Sequence, residues 1–266
     1  MKTFLVSDCK NLPVCSNVFS FFNQKGGVGK TTTSINIAAC LGLMNKKVLL
    51  IDFDPQANAT TGMGVKNRSA SVHDFLFGKS SFRQVISKTC IQNVDIIPSS
   101  QDLSAAFLDL VQFDYKEFFL KYVIREICSL YDYVFIDCPP SMCLLSLNAL
   151  VASAKVIIPL QAEYYALEGL SRLIQNAKLI KEEKNKDLEI EGIILTMFDK
   201  RNSLSFEVEN DVRSHLGRLV YESKIFRSVR VSESPSFGKP LVIYDSKNFV
   251  SDCFFEASKE FLNRGN

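Results

Sequence analysis

The chain has 266 residues, a formal net charge of +2, and 47% hydrophobic residues that include 21 Phe and no Trp. That is apolar material for one large α/β domain or two small ones. The near-neutral balance excludes a globally basic coat for nucleic acid or membrane, so any such surface must be local. No apolar run approaches the ~18 residues needed to cross a bilayer, and Asp8, Lys10 and Asn11 interrupt the short apolar start, so no secretory leader is read. The expected location is the cytoplasm. Eight cysteines show no Cys-x-x-Cys and no zinc-ligand spacing. They are expected to be small buried hydrophobes in a reducing compartment.

In chain order, Val18 to Phe22 reads as a strand and Lys30 to Met44 as a helix. Lys47 to Asp52 is a continuous apolar run, the mark of a strand buried on both faces. Val94 to Pro98 is a further short strand. Tyr115 to Leu130 has helical spacing, with Phe118, Phe119, Tyr122, Val123, Ile127 and Leu130 on one broad face. Tyr133–Asp137, Lys155–Leu160 and Glu189–Met197 read as strands, with a helix over Leu167–Lys184. The charge run Lys181 to Asp187 is expected to be a solvated helix end and turn. This alternation predicts an α/β fold: one domain with a mainly parallel, twisted sheet and helices on both faces. Residues 1–16 form a short extension and residues 17–266 the domain.

Lys25-Gly26-Gly27-Val28-Gly29-Lys30-Thr31-Thr32 lies between the first strand and the first helix. Glycine lets a backbone bend closely around an anion, and the N–H groups of the first helical turn point at it. Lys30 supplies a charge for the β/γ-phosphates and Thr31 a hydroxyl for Mg²⁺. The general P-loop has glycine five residues before Gly29, but here that position is Gln24. A second lysine, Lys25, opens the loop instead. Two lysines flanking one turn repel unless a polyanion lies between them.

Ligands of open α/β sheets sit outside the carboxyl ends of the strands. Asp52 and Asp54 fall there, as does Asp137. A strand-tip aspartate downstream of a P-loop is the usual holder of Mg²⁺. Asp52 and Asp54 would point the same way in an extended chain, one supporting Mg²⁺ and the other orienting water. Pro55 and the Pro139-Pro140 pair stiffen the loops that follow. No Asn-Lys-x-Asp motif for guanine follows a strand, so ATP is favoured over GTP.

These residues resemble the ParA family of partition ATPases, in particular its chromosomal Soj-type members, within the deviant Walker A P-loop superfamily. The resemblance rests on the loop Asn23–Thr33 and on Asp54-Pro55-Gln56-Ala57-Asn58 and Asp137-Cys138-Pro139-Pro140-Ser141. It continues through Gln161-Ala162-Glu163-Tyr164-Tyr165-Ala166-Leu167-Glu168-Gly169 and Val229–Pro240, and so covers nearly the whole chain from Val18. It implies that Lys25 is the signature lysine, reaching a partner's ATP across a homodimer interface. Gly26, Gly27, Val28, Gly29, Lys30, Thr31 and Thr32 would hold ATP within the subunit. Asp54 would position the attacking water. Thr31 and Asp137 would serve Mg²⁺, with Asp52 and Asp54 acting indirectly. The resemblance also implies slow hydrolysis, a ParB-like centromere-binding partner that stimulates it, and non-specific binding of double-stranded DNA in the ATP state.

Residues 200–247 hold nine Lys/Arg and six Asp/Glu, and Arg201 and Arg230 fall where the family places DNA contacts. Arg227 and Lys247 could join them. One departure concerns the adenine. Where the family commonly has Ile-Pro-Arg-Asn-Val-Arg, this chain has Ile225-Phe226-Arg227-Ser228-Val229-Arg230, so Phe226 and Ser228 replace a proline and an amide. Two rivals share the superfamily. A membrane-recruited regulator resembling MinD would need a basic amphipathic tail. Here Phe249, Cys253, Phe254, Ala257 and Phe261 share a face with mixed charges around it, which reads as core, so no membrane partner is expected. An iron–sulfur carrier would need paired cysteines at a dimer axis.

Overall fold

The computed structural model describes residues 12–66 and 69–264. Seven strands form one sheet: β1 (Val18–Phe21), β2 (Val48–Asp52), β3 (Ser87–Lys88), β4 (Val94–Ile97), β5 (Tyr133–Asp137), β6 (Lys155–Gln161) and β7 (Glu189–Thr196). Their order is β3-β4-β2-β5-β1-β6-β7. Every neighbouring pair is parallel except β3–β4. β1, β2 and β4 are buried along their whole length. Strands covered on both faces need unbroken apolar sequence, which is why Val-Leu-Leu-Ile in β2 does not alternate.

Twelve α-helices complete the described residues: α1 (Lys30–Leu43), α2 (Asn58–Gly62), α3 (Val72–Leu76), α4 (Phe82–Val85), α5 (Ala106–Val111), α6 (Phe119–Ile124), α7 (Leu144–Ala152), α8 (Ala166–Glu183), α9 (Ser203–Leu216), α10 (Val229–Glu233), α11 (Leu241–Tyr244) and α12 (Phe249–Arg264). On one face of the sheet α1 and α12 bury Ile37, Leu41, Phe254 and Phe261 against Phe19, Phe21 and Phe135. Phe261 meets Phe19 edge-on with ring centroids 4.9 Å apart. The apolar stripe of the C-terminal helix is therefore core. Only Phe249 departs from that stripe; it is exposed and packs on Phe226 at 5.3 Å. On the other face α6, α7 and α8 cover Val134, Ile136, Val156 and Ile158.

One expected helix is broken. The segment from Tyr115 to Leu130 forms a 3₁₀ turn at Lys116–Phe118, then α6, then a second 3₁₀ turn at Cys128–Leu130. Tyr115 enters it with a left-handed φ of 58°. The Asn148 side chain substitutes for helical partners: it accepts from the Leu120 N–H (3.1 Å) and donates to the Lys116 carbonyl (2.9 Å). Leu130, placed on the apolar face by spacing, is 55% exposed. Between α2 and α5 the expected strand forms as β4, whereas the short helices α2 to α5 and the two-residue β3 are not marked by the sequence periodicity.

The cysteines also depart from expectation. Cys15 and Cys128 form a disulfide, with Cα atoms 6.6 Å apart, within the ordinary range for such a bond. Asn17 reinforces that junction by donating to the carbonyls of Cys128 (2.8 Å) and Tyr131 (2.9 Å). Cys40, Cys138 and Cys253 are buried thiols as expected, whereas Cys90 is exposed and Cys143 half-buried. Residues 1–11 of the short N-terminal extension, Cys9 among them, lie outside the described residues.

Candidate nucleotide site

The carboxyl ends of β1, β2, β5, β6 and β7 meet at one rim of the sheet, and the glycine-rich loop rises there between β1 and α1. Gly27 and Gly29 adopt φ of 75° and 85°, a region that other residues enter only under strain. Gly29 precedes α1, which has no side-chain cap, so its first N–H groups remain available to an anion. Two polar side chains fix the loop. Asn23 accepts from the Lys25 N–H (3.0 Å) and donates to the Pro159 carbonyl in β6 (2.8 Å). Thr196, at the end of β7, donates to the Val28 carbonyl (2.8 Å).

The two lysines are placed differently. Lys30 is buried, and its ammonium donates to the Lys25 carbonyl at 2.9 Å, inside the curve of the loop. Burial lowers its pKa, while Asp137, Cys138 and Asp54 nearby oppose that shift. Lys25 points outward and pairs with Glu163, which follows β6.

Three buried carboxylates face this rim. Asp137 accepts from Thr31 Oγ1 (2.7 Å) and Ser34 Oγ (3.1 Å). Burial, then the neighbouring Asp52, push its pKa up to about 8 despite those bonds. Asp52 accepts from the Thr60 N–H (2.7 Å) and hydroxyl (2.6 Å) and from the Asp54 N–H (3.3 Å). Burial raises it to about 6. Asp54 accepts from the Gln56 N–H (2.9 Å) and lines the cleft over the loop. The strand ends at Asp52, so the chain turns and the two aspartates diverge: Asp52 organises α2 and Asp54 faces the cleft. Negative charge here exceeds what Lys30 balances. Hard oxygen donors with a cation deficit fit Mg²⁺, and Thr31 and Asp137 are groups that could hold it.

Two clefts adjoin over the loop and share Gly29, Thr32 and Met197. One, about 210 Å³, is lined by Gly27, Lys30, Thr31 and Asp54. The other, about 270 Å³, is lined by Thr33, Ile225, Phe226, Arg227 and Ser228. Together they match a polyphosphate joined to a flat base. Sequence reasoning missed Met197 and Thr196, which carry no motif and reach the loop only because β7 ends beside it. It also missed Thr60 and the pairing of Glu163 with Lys25.

Of the expected DNA-contacting cations, Arg230 lies in α10 and Arg201, Arg227 and Lys247 lie on turns and loops. Arg201 makes a two-pronged pair with Asp199 (3.0 and 2.9 Å), which holds that carboxyl down at about 2. Arg230 lies over the Tyr244 ring and pairs with Glu233 (2.9 Å) and Asp245 (3.1 Å). Arg227 and Lys247 are exposed. The segment that follows Arg230 crosses the turn after α2 at a glycine pair: a Cβ on Gly64 would lie 2.6 Å from the Gly238 carbonyl oxygen.

Sheet order, loop geometry and the inward and outward lysines define a P-loop nucleotide-binding protein of the deviant Walker A class. A family model described as an AAA domain matches residues 16–190. The sporulation initiation inhibitor protein Soj of Bacillus subtilis is 43% identical over 250 residues, 93% of this chain and 99% of that protein. The chromosome partitioning protein ParA of Myxococcus xanthus is 44% identical over 244 residues, 91% of this chain and 86% of that protein. Among solved structures, cobyrinic acid a,c-diamide synthase of Mycobacterium smegmatis with bound ADP and magnesium has a TM-score of 0.81 and 30% identity, covering 94% of this chain and 95% of its own. The chain belongs to the ParA/Soj family of chromosome-partitioning ATPases.

Proposed function

We propose that the protein is a Mg²⁺-dependent ATPase that closes face to face with a second copy over two ATP molecules. In that state it binds double-stranded DNA without sequence preference, and it releases DNA after hydrolysis stimulated by a ParB-like partner. The observation that carries this reading is the division between the lysines. Lys30 sits within the cradle, whereas Lys25 is 55% exposed and aimed out of it. An outward lysine on a phosphate loop serves a phosphate that the same loop does not hold. Tyr164 (76% exposed) and Tyr165, together with exposed Met142, flank this side of the rim and suit burial against a second protomer.

In this reading the N–H groups of α1 and the Lys30 ammonium bind and orient the phosphates. Thr31 and Asp137 would hold Mg²⁺, which would supply positive charge to offset that developing on the phosphates. Asp54, fixed by the Gln56 N–H, orients the attacking water. Phe226 and Ser228 flank the base. Catalysis of phosphoryl transfer is mostly positioning and electrostatics, so a slow enzyme awaiting its partner needs little else. The Gly64–Gly238 crossing packs the chain that follows α2 against the segment bearing Arg230. Arg201, Arg227, Arg230 and Lys247 would be doubled in a dimer, giving DNA affinity that appears only with ATP and places the protein on the nucleoid. A membrane-recruited role resembling MinD has less support, because the apolar stripe of α12 packs on Phe19 and Phe135.

The test is DNA binding titrated with salt, comparing ADP with a non-hydrolysable ATP analogue. Binding only with the analogue, falling linearly on a log–log salt plot, supports the reading. Equal binding in both nucleotides, or capture by liposomes instead of DNA, would refute it.

A further inference from the structure

The Lys25 ammonium and the Glu163 carboxylate pair within one protomer although 138 residues separate them in sequence. Both backbones are pinned. Lys25 is held through Asn23, which links it to Pro159 of β6. Glu163 sits in a turn, donating its N–H to the Gln161 carbonyl (2.9 Å) and accepting from the Ala166 N–H (2.9 Å). Only side-chain rotations therefore separate the paired from the unpaired state. Lys30 at the same time occupies the Lys25 carbonyl, so each lysine has a protein partner here. The Lys25 and Glu163 side chains are 55% and 41% exposed, open to exchange with solvent or with another anion.

We propose that Glu163 is a positioning residue that holds Lys25 against its own protomer and must release it before Lys25 can reach a triphosphate bound by a second copy. The proposal rests on the reading of Lys25 as a lysine that acts across the dimer. A carboxylate suits the task because it competes with phosphate for the same ammonium, carries less charge, and loses when a polyphosphate is presented. Exposed ion pairs are weak, so the hold is reversible. A symmetric dimer releases two of them. Removing the carboxylate should tighten dimerisation by roughly 2- to 30-fold, the range that two exposed pairs supply.

The experiment is sedimentation of the full chain with magnesium and a non-hydrolysable ATP analogue. It compares wild type, Glu163→Gln, Glu163→Asp, Lys25→Ala and the double variant Lys25→Ala/Glu163→Gln. Glu163→Ala gives the same readout should the Gln variant fail to fold. The expected result is tighter dimerisation for Glu163→Gln at low salt, with the gap closing at about 0.5 M salt as the pair is screened. Analogue affinity of the dilute monomer is expected to be unchanged. Glu163→Asp, which keeps the charge, should lie nearer wild type, and the double variant should match Lys25→Ala. Dimerisation of Glu163→Gln equal to or weaker than wild type, with Lys25→Ala monomeric, would overturn the role of Glu163 alone. A wild-type protein that stays monomeric would overturn the trans reading of Lys25 and this proposal with it.

Discussion

Thr60 gives the sharpest stability prediction. Its hydroxyl donates to Asp52 Oδ2 at 2.6 Å and accepts from the Ser99 N–H at 2.9 Å, all of it buried. Thr60→Val keeps the shape, but Asp52 loses a charge-assisted bond, worth about 1.5–3 kcal/mol, and the Ser99 N–H is left without this acceptor at a cost of about 1–3 kcal/mol. The expected loss is about 4 kcal/mol, a large share of the roughly 5–15 kcal/mol that holds a domain together. The loss should depend on pH. Asp52 has a folded pKa raised to about 6, so it is partly protonated near neutrality and needs the hydroxyl less in acid. The penalty should therefore grow as pH rises through 6 and be smaller at pH 5. Urea unfolding of both proteins at pH 5, 6.5 and 8 measures this, provided the m-value is unchanged. A difference below about 1 kcal/mol at pH 8 would refute this account of Thr60 as the organiser of the α2 loop.

Asp137 titrates near 8 when folded, far above an unfolded aspartate, so the native protein binds more protons between those values. Without nucleotide and Mg²⁺, stability should be fullest below about pH 4 as far as this group contributes, and should be lost as pH rises toward 8. Asp137→Asn should flatten that slope; an unchanged slope in thermal melts across pH would contradict it. Lys30→Met should abolish nucleotide binding yet leave the free protein at least as stable, because the ammonium is penalised by burial. Fluorescent-nucleotide titration and melting together check this, and retained binding would remove Lys30 from the cradle. Arg230→Glu should lose DNA binding by more than tenfold while keeping ATP, and gel shifts with intact affinity would refute the assigned face.

Much of the fold is legible because the central strands are read by one force. Val48 to Ile51 and Tyr133 to Ile136 are apolar without alternation because helices cover both faces, and that pattern survives any context. The loop is legible because phosphate demands glycine, lysine and threonine at fixed spacing. What escapes is set by partners distant in sequence. Asn148 breaks the helical segment after Tyr115 from 28 residues away by capturing the Leu120 N–H. Cys128 meets Cys15 across 113 residues. The divergence of Asp52 and Asp54 depends on Thr60, a residue with no motif of its own. Sequence places Arg201 and Arg230 only by family resemblance and shows nothing of their partners, yet each already holds a carboxylate. In the proposed DNA-bound state, phosphates would have to displace those partners.

The central claim concerns two copies sharing ATP through Lys25. Its most direct measurement is the mass in solution by light scattering, at saturating Mg²⁺ and a non-hydrolysable ATP analogue, for wild type and Lys25→Ala. Wild type is predicted to double in mass with the analogue and not with ADP, and Lys25→Ala to bind the analogue yet remain single. A wild-type protein that stays single, or a Lys25→Ala protein that pairs as tightly as wild type, would contradict the account.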